Sequence, residues 1–403
     1  MFVVVLFALA QASAEDWERS RNLYRLTQGK VIGGAIEARW SPEGMLFFRN
    51  SKGQMVQVDP ATGTSKGVEP KAAPGKSEPP PRQNRVRQRS SPRGDRSPNG
   101  KHRIEVRNFN LYLDGKAITT DGTDKNYYEP GVFWSPDSTH FVAYRTRVGR
   151  RRVVNLIESS PKGSIDPKLH TFRYDKPGDE LDTPSLHLFS AATAKTIPME
   201  TKLFATPWSL DEIRWASDSK SFTFAYNQRG HQVLRIVEIE LPSGKARAMV
   251  DETSKTFVDY AHKRFVWYRD NDVIWMSERD GWNHLYRIDR KTGEATQLTR
   301  GEWVVRGIER VDEKTGEIEI RAGGIVPNQS PYHVHHCLVN MNTGKLVRLT
   351  EGDGTHRVQW SPDRKYLVDT WSRVDLAPRS VLRDASGKKI ADLEEASLEA
   401  LVK

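Results

Sequence analysis

Phe133-Trp134-Ser135-Pro136-Asp137-Ser138, leading into Phe141-Val142-Ala143-Tyr144, reads as a polar turn that feeds an apolar strand. The same phrase recurs along the chain. It stands at Trp40-Ser41-Pro42-Glu43-Gly44 before Met45-Leu46-Phe47-Phe48, and at Ser97-Pro98-Asn99-Gly100-Lys101. It returns at Arg214-Trp215-Ala216-Ser217-Asp218-Ser219 before Phe222-Thr223-Phe224-Ala225-Tyr226, and at Gln359-Trp360-Ser361-Pro362-Asp363-Arg364 before Tyr366-Leu367-Val368-Asp369. Ser97 and Ser135 lie 38 residues apart, and Ser135 and Ser217 lie 82 apart, close to twice that spacing. A period of about 40 residues with strand–turn–strand content is the sequence signature of propeller blades.

A second repeated element supports the same fold. Val56-Gln57-Val58-Asp59-Pro60-Ala61-Thr62-Gly63, Tyr286-Arg287-Ile288-Asp289-Arg290-Lys291-Thr292-Gly293 and Leu338-Val339-Asn340-Met341-Asn342-Thr343-Gly344 each read as a strand and a polar turn closed by glycine. Glycine supplies the positive φ that such turns require. A barrel or doubly wound α/β fold needs amphipathic helices between its strands, and only the tail Leu393–Leu401 looks helical. The expected fold is therefore all-β, a β-propeller of about seven or eight four-stranded blades.

Composition fits an all-β body. The 403 residues include 11 Trp, 12 Tyr and 14 Phe within a hydrophobic fraction of 37%. The single cysteine, Cys337, excludes an internal disulfide. Met1–Ala10 is an apolar run followed by Ala12-Ser13-Ala14, which predicts a signal peptide over residues 1–14 and export to the periplasm or the extracellular space. The run is too short to span a bilayer, and no second such run follows, so no membrane span is expected in the mature chain.

The net charge of +10 has a local origin. Between Lys66 and Lys101 stand ten Lys/Arg against three acids, which accounts for about seven of the ten charges. The stretch 65–96, rich in Pro and Arg and poor in apolar residues, predicts a disordered basic insertion in a propeller spanning 15–395, with 396–403 as a tail. Its Arg93-Gly94-Asp95 tripeptide matches an adhesion motif, but such tripeptides recur by chance. With the charge confined to that segment and export predicted, no nucleic-acid partner is expected.

Few chemical signatures are present. We read no nucleophile elbow, no phosphate-cradling glycine loop and no zinc-spaced cysteine pair, so the chain alone is expected to be inactive as a serine hydrolase and to need no cofactor. Tyr332-His333-Val334-His335-His336-Cys337 is the one metal-like cluster; it lacks a second ligand cluster and reads as a blade strand, so no metal site is assigned. The carboxylate pairs Asp179-Glu180, Asp211-Glu212 and Glu394-Glu395 read as solvated, and Arg145, Arg147 and Arg150–Arg152 as a basic hairpin tip around Gly149.

One stretch carries a family resemblance. Met276-Ser277-Glu278-Arg279-Asp280-Gly281-Trp282-Asn283-His284-Leu285-Tyr286, continued by Leu298-Thr299-Arg300-Gly301-Glu302-Trp303, resembles the dipeptidyl peptidase IV N-terminal (propeller) region of the prolyl oligopeptidase family of serine peptidases. Leu349–His356, Val368–Asp375 and Leu169–Tyr174 with Lys176–Asp179 extend the resemblance over most of residues 97–395. It implies proteolysis, a peptide substrate, and an α/β-hydrolase domain that carries the catalytic Ser, Asp and His. That domain would begin about where this chain stops, so a separate hydrolase domain or subunit is the implied partner. Family members hold a substrate's amino terminus with a Glu-Glu pair ahead of a Trp-Ser-Pro turn. The matching place here is Tyr127-Tyr128-Glu129-Pro130, which makes Glu129 and Tyr128 the candidate substrate-binding residues. Only one Glu stands there, so the resemblance does not extend to the full Glu-Glu anchor on which dipeptidyl specificity rests. The alternative expectation is a free-standing exported propeller that binds proteins.

Overall fold

The computed structural model describes residues 13–74 and 88–402. The apolar start of the predicted leader and the centre of the basic insertion lie outside the described residues. Among those described are seven antiparallel sheets of three or more strands and one two-stranded arm. In chain order they are sheet I (39–68), II (104–117), III (126–197), IV (207–253), V (266–297), VI (304–348) and VII (355–395). Sheets I and IV–VII are four-stranded meanders in which each strand pairs with the next in sequence. This succession of meanders is the blade series of a β-propeller, the fold class expected. The chain divides into two compact units: residues 13–74 with 298–402 hold sheets I, VI and VII, and residues 88–297 hold sheets II–V.

Burial explains why the central strands read as unbroken apolar runs. In the second strand of sheet IV, Ser221–Gln228, every residue from Phe222 to Tyr226 is buried, because the sheet is covered on both faces. One face meets sheet III, where Val142, Leu186 and Leu188 pack on Phe222, Phe224 and Val237. The other meets sheet V, where Trp275, Tyr286 and Ile288 pack on Ala225, Leu234 and Ile236. Each such fully buried side chain contributes about 1.5–3 kcal/mol relative to exposure. In the other unit, Leu46, Phe48 and Val58 of sheet I pack on Val368 and Leu382 of sheet VII. Gln359 locks that junction, accepting from Ala38 N at 3.1 Å and donating to Ile36 O at 2.9 Å.

The repeated Ser-Pro-Asp phrase proves to be a hydrogen-bonded device. Ser135 Oγ donates to Asp137 at 2.6 Å and accepts from His140 N at 3.0 Å; Ser361 does the same with Asp363 and with Tyr366 N. The turns also stitch neighbouring sheets: Asn99 N donates to Ser138 Oγ at 3.1 Å, and Asp137 N donates to Ser219 Oγ at 3.2 Å. Ser138 and Ser219 hold φ of 65° and 60°, a conformation small polar residues tolerate.

Four sequence expectations are corrected. Lys389–Glu395 is a strand of sheet VII, and the tail helix is reduced to Glu399–Val402; pairing with the strand Leu376–Asp384 outweighs the helix propensity of the Leu-Glu-Glu run. A helix does form at Ala14–Thr27, where Ser13 and Asp16 make a capping box. Its apolar residues Trp17, Leu23 and Tyr24 are exposed, so periodicity gave it no signal. The basic insertion is ordered at both ends: Ser65–Val68 is the last strand of sheet I, and residues 88–96 are bound to unit 88–297. Gly149 is not a hairpin tip. The chain runs on into a two-stranded arm, Val153–Glu158 with Lys168–Arg173, and the arginines clamp its base. Arg152 binds Asp179 through two hydrogen bonds of 2.6 and 2.7 Å, and Arg229 donates to the Asp179 carbonyl at 2.7 Å.

Candidate functional site

Glu129 sits where a strand is interrupted. Asn126–Tyr128 and Phe133–Trp134 both pair with the same long strand, His140–Arg147, so residues 129–132 form a step between them. Glu129 N still donates to Tyr144 O at 3.0 Å, after which Pro130 and Gly131 (φ 74°) turn the backbone away. A second segment fills the step. Gly94 and Val132 exchange both backbone hydrogen bonds at 2.9 Å, so this stretch of the basic insertion acts as a local extra strand.

That segment, residues 88–96, is a strap across the first strands of four sheets. Gln88 donates to Tyr268 O at 2.8 Å and accepts from Tyr268 N at 2.7 Å, on sheet V. Ser91 N donates to Ile213 O at 2.8 Å and Ser91 Oγ accepts from Trp215 N at 2.9 Å, on sheet IV. Gly94 binds beside sheet III, and Asp95 O accepts from Ile104 N at 2.7 Å on sheet II. These contacts cap strand edges whose donors and acceptors would otherwise face water or another chain.

The strap delivers Arg93 to Glu129. Arg93 Nη2 donates to Glu129 Oε2 at 2.9 Å and Nε donates to Gly131 O at 3.2 Å. The guanidinium also lies over the rings of Tyr144 and Phe133, at 5.1 and 5.9 Å. The other carboxylate oxygen, Oε1, accepts from Thr146 Oγ1 at 2.6 Å. Side-chain exposures of 36% for Arg93 and 28% for Glu129 leave the pair within reach of solvent. Tyr128 is placed differently. Its ring is buried in the core shared by sheets II and III, and its hydroxyl makes a 3.4 Å contact with Asp121. Arg145 stacks on that ring at 5.0 Å and binds Asp121 at 2.6 Å. Burial, then the charge of Asp121, raises the Tyr128 hydroxyl above its ordinary range. Burial followed by the charge of Arg145 lowers His187, which meets the Tyr128 ring edge-on.

The sequence brought Glu129 and Tyr128 forward and named Arg145 only within a basic hairpin tip; it missed Thr146 and Asp121, and Arg93 as the partner of Glu129. Arg93 was visible only inside Arg93-Gly94-Asp95, and that tripeptide is folded into the strap, with Asp95 paired to Arg103 at 3.2 Å. Its signal was hidden by the composition around it.

The remaining sequence candidates are distributed elsewhere. His333 binds Asp353 at 2.8 Å, His335 and Cys337 are buried, and His336 lies 3.6 Å from Glu319. Among the described residues no group of three or more His, Cys, Asp or Glu is placed to hold a metal ion. Glu395 pairs with Arg379 at 2.6 Å and Glu212 with Arg264 at 2.7 Å. One Gly-x-Ser-x-Gly string does occur, at Gly63-Thr64-Ser65-Lys66-Gly67, and refines the reading of an absent elbow. A nucleophile elbow is a strand-to-helix turn, whereas Ser65 starts an exposed edge strand paired with Met55–Val58. The Ser277–Trp282 stretch is a structural turn: Ser277, Trp275 and Arg279 all donate to the buried Glu252, at 2.7, 3.1 and 2.8 Å.

An all-β propeller with a carboxylate at an interrupted strand defines the class, and comparison with known proteins gives the family. The family model for the dipeptidyl peptidase IV (DPP IV) N-terminal region matches residues 73–378, and the chain belongs to that family. It is 24% identical over 248 residues to a "Probable dipeptidyl peptidase 4" of Aspergillus clavatus, covering 54% of this chain and 32% of that protein. It is 24% identical over 253 residues to a protein of the same description from Emericella nidulans, with the same coverage. The crystal structure of Porphyromonas gingivalis dipeptidyl peptidase 4 shares the fold at a TM-score of 0.51 and 17% identity, over 91% of this chain and 50% of that one. The chain thus spans about a third of the length of these curated relatives. No helix among the described residues is long and apolar enough to cross a membrane.

Proposed function

We propose that this chain is the propeller component of a dipeptidyl-peptidase-IV-like serine peptidase, and that it gates and orients peptide substrates for an α/β-hydrolase domain or subunit. Family membership over residues 73–378 carries this reading. The geometry of the Glu129 step supports it: a partly exposed carboxylate and guanidinium can meet the charged and polar groups of an extended peptide. In this reading Glu129 faces the peptide, while the buried Tyr128 holds the step in place. The leader-like start at Met1–Ala14 supports an exported protein.

A benzophenone-bearing pentapeptide tests the proposal. After photolysis, cross-links are expected within residues 93–95 and 129–146, identified by mass spectrometry. Cross-links confined to the last strands of the sheets, or none at all, would remove the peptide-orienting role.

A further inference from the structure

We infer that Arg93 is a specificity-determining residue of the Glu129 corner. Its guanidinium is the resident cation of that carboxylate, so the corner does not select peptides with a free amino terminus, and removing the Arg93 charge creates that selection. The inference rests on the reading of the corner as peptide-facing.

Charge balance comes first. The corner holds two carboxylates, Glu129 and Asp121, and each already has its own guanidinium, from Arg93 at 2.9 Å and Arg145 at 2.6 Å. Glu129 has no oxygen left unengaged, because Arg93 holds Oε2 and Thr146 holds Oε1. An ammonium arriving here meets a carboxylate whose charge Arg93 already balances, and gains little. An acetylated terminus gives up nothing by comparison.

Arg93 is also held independently of Glu129. Its Nε is fixed on Gly131 O, and its plane lies over Tyr144, whose hydroxyl donates to Leu210 O. Its backbone is pinned by the Gly94–Val132 pair on one side and by Ser91 and Gln88 on the other. Swinging the guanidinium aside therefore breaks the Gly131 bond and the contact with the Tyr144 ring, while the pinned backbone keeps the side chain at the corner. A merely mobile surface arginine would yield its partner to a competing cation; this one is positioned as a fixture.

The test uses the full chain and one peptide in two forms, Ala-Pro-Ala-Gly-Ala with a C-terminal fluorophore and either a free or an acetylated amino terminus, read by fluorescence anisotropy. The wild-type chain is expected to bind the two forms within about twofold. Arg93→Gln is expected to bind the free-amine form about tenfold or more tighter than the acetylated one, the size of a single charge-assisted contact. Arg93→Met, which keeps the stem against Tyr144 and Phe133, should behave alike if the glutamine variant folds poorly. Adding Glu129→Gln should erase the new preference, an outcome that loss of packing alone does not give. A wild-type preference of tenfold, or folded variants that bind without preference, overturns the role of Arg93 while leaving the peptide-facing reading intact. Absence of binding to either form by every folded protein overturns both.

Discussion

Acid should weaken the unit that holds sheets I, VI and VII through His335, and the size of the effect follows from its surroundings. His335 lies on the third strand of sheet VI, Val334–Asn340, and is 1% exposed. Nδ1 faces Thr350 Oγ1 at 3.1 Å and Nε2 faces Gln329 Oε1 at 3.0 Å. From the first strand of sheet VII, the His356 ring meets it tilted at 4.6 Å; Arg348 from the last strand of sheet VI and Asp369 from the second strand of sheet VII also act on it. Burial, then His356 and Arg348, push its pKa down to about 4 against an ordinary 6.5. The folded state therefore keeps His335 neutral where the unfolded state binds a proton. Stability is full above pH 6.5, falls as the pH drops through 6.5 towards 4, and levels off below that. Linkage puts the loss between pH 7 and pH 4.5 at about 2 kcal/mol from this group. Urea unfolding at the two pH values, for wild type and His335→Gln, isolates it: the variant's loss should be smaller by that amount. Equal losses in the two proteins would refute the burial argument.

Asp369→Asn should cost about 3 kcal/mol, seen as a large fall in Tm, because it removes the buried charge 2.9 Å from Arg383 (2% side-chain exposure), leaving only the exposed Glu351 carboxylate at 3.4 Å, and alters the 2.7 Å bond to His356. Cys337, fully buried with its thiol pushed up to about 12 by burial, should resist Ellman's reagent until the chain is unfolded; stoichiometric reaction of the native protein would show that sheet VI opens. Fluorophosphonate probes should leave the purified chain unlabelled, and labelling abolished by Ser65→Ala would overturn the assignment of Ser65 to an edge strand without an elbow. Gly34→Ala should destabilise the sheet I–VII junction, since Gly34 holds φ 81° and an added Cβ would lie 2.2 Å from Pro378 O; an unchanged Tm would contradict that crowding.

What was legible in the sequence was whatever the fold repeats. Ser135, Ser361 and Ser97 each close a turn through their own hydroxyl, and the same local chemistry rewrites the same letters at the blades that carry the phrase. The glycines that end the Asp59, Asp289 and Asn340 turns all hold φ between 72° and 76°, the conformation that marks them in the sequence. Glu129 could be found because a turn of that kind follows it. Arg93 could not, because nothing local makes it functional. It lies 36 residues from Glu129, in a stretch whose composition signals disorder, and only a strap bound to four sheets brings the two together. His333, His335, His336 and Cys337, letters of the kind that ligate metals, were read as a blade strand, and the last three lie on one, divided between core and partners on neighbouring strands.

The two kinds of information have a common physical origin. Within a blade the pairing strands are consecutive in sequence, so the sheets tolerate a long insertion between the last strand of sheet I and the first of sheet II. The insertion's exit passes the open edges of sheets V, IV, III and II, and the backbone groups there bind it. A segment held by main-chain contacts can change its side chains without losing its course. Arg93 stands on such a course, opposite the one carboxylate that the strand interruption exposes, so the specificity of the corner can be reset by a single substitution in the strap while every blade stays as it is.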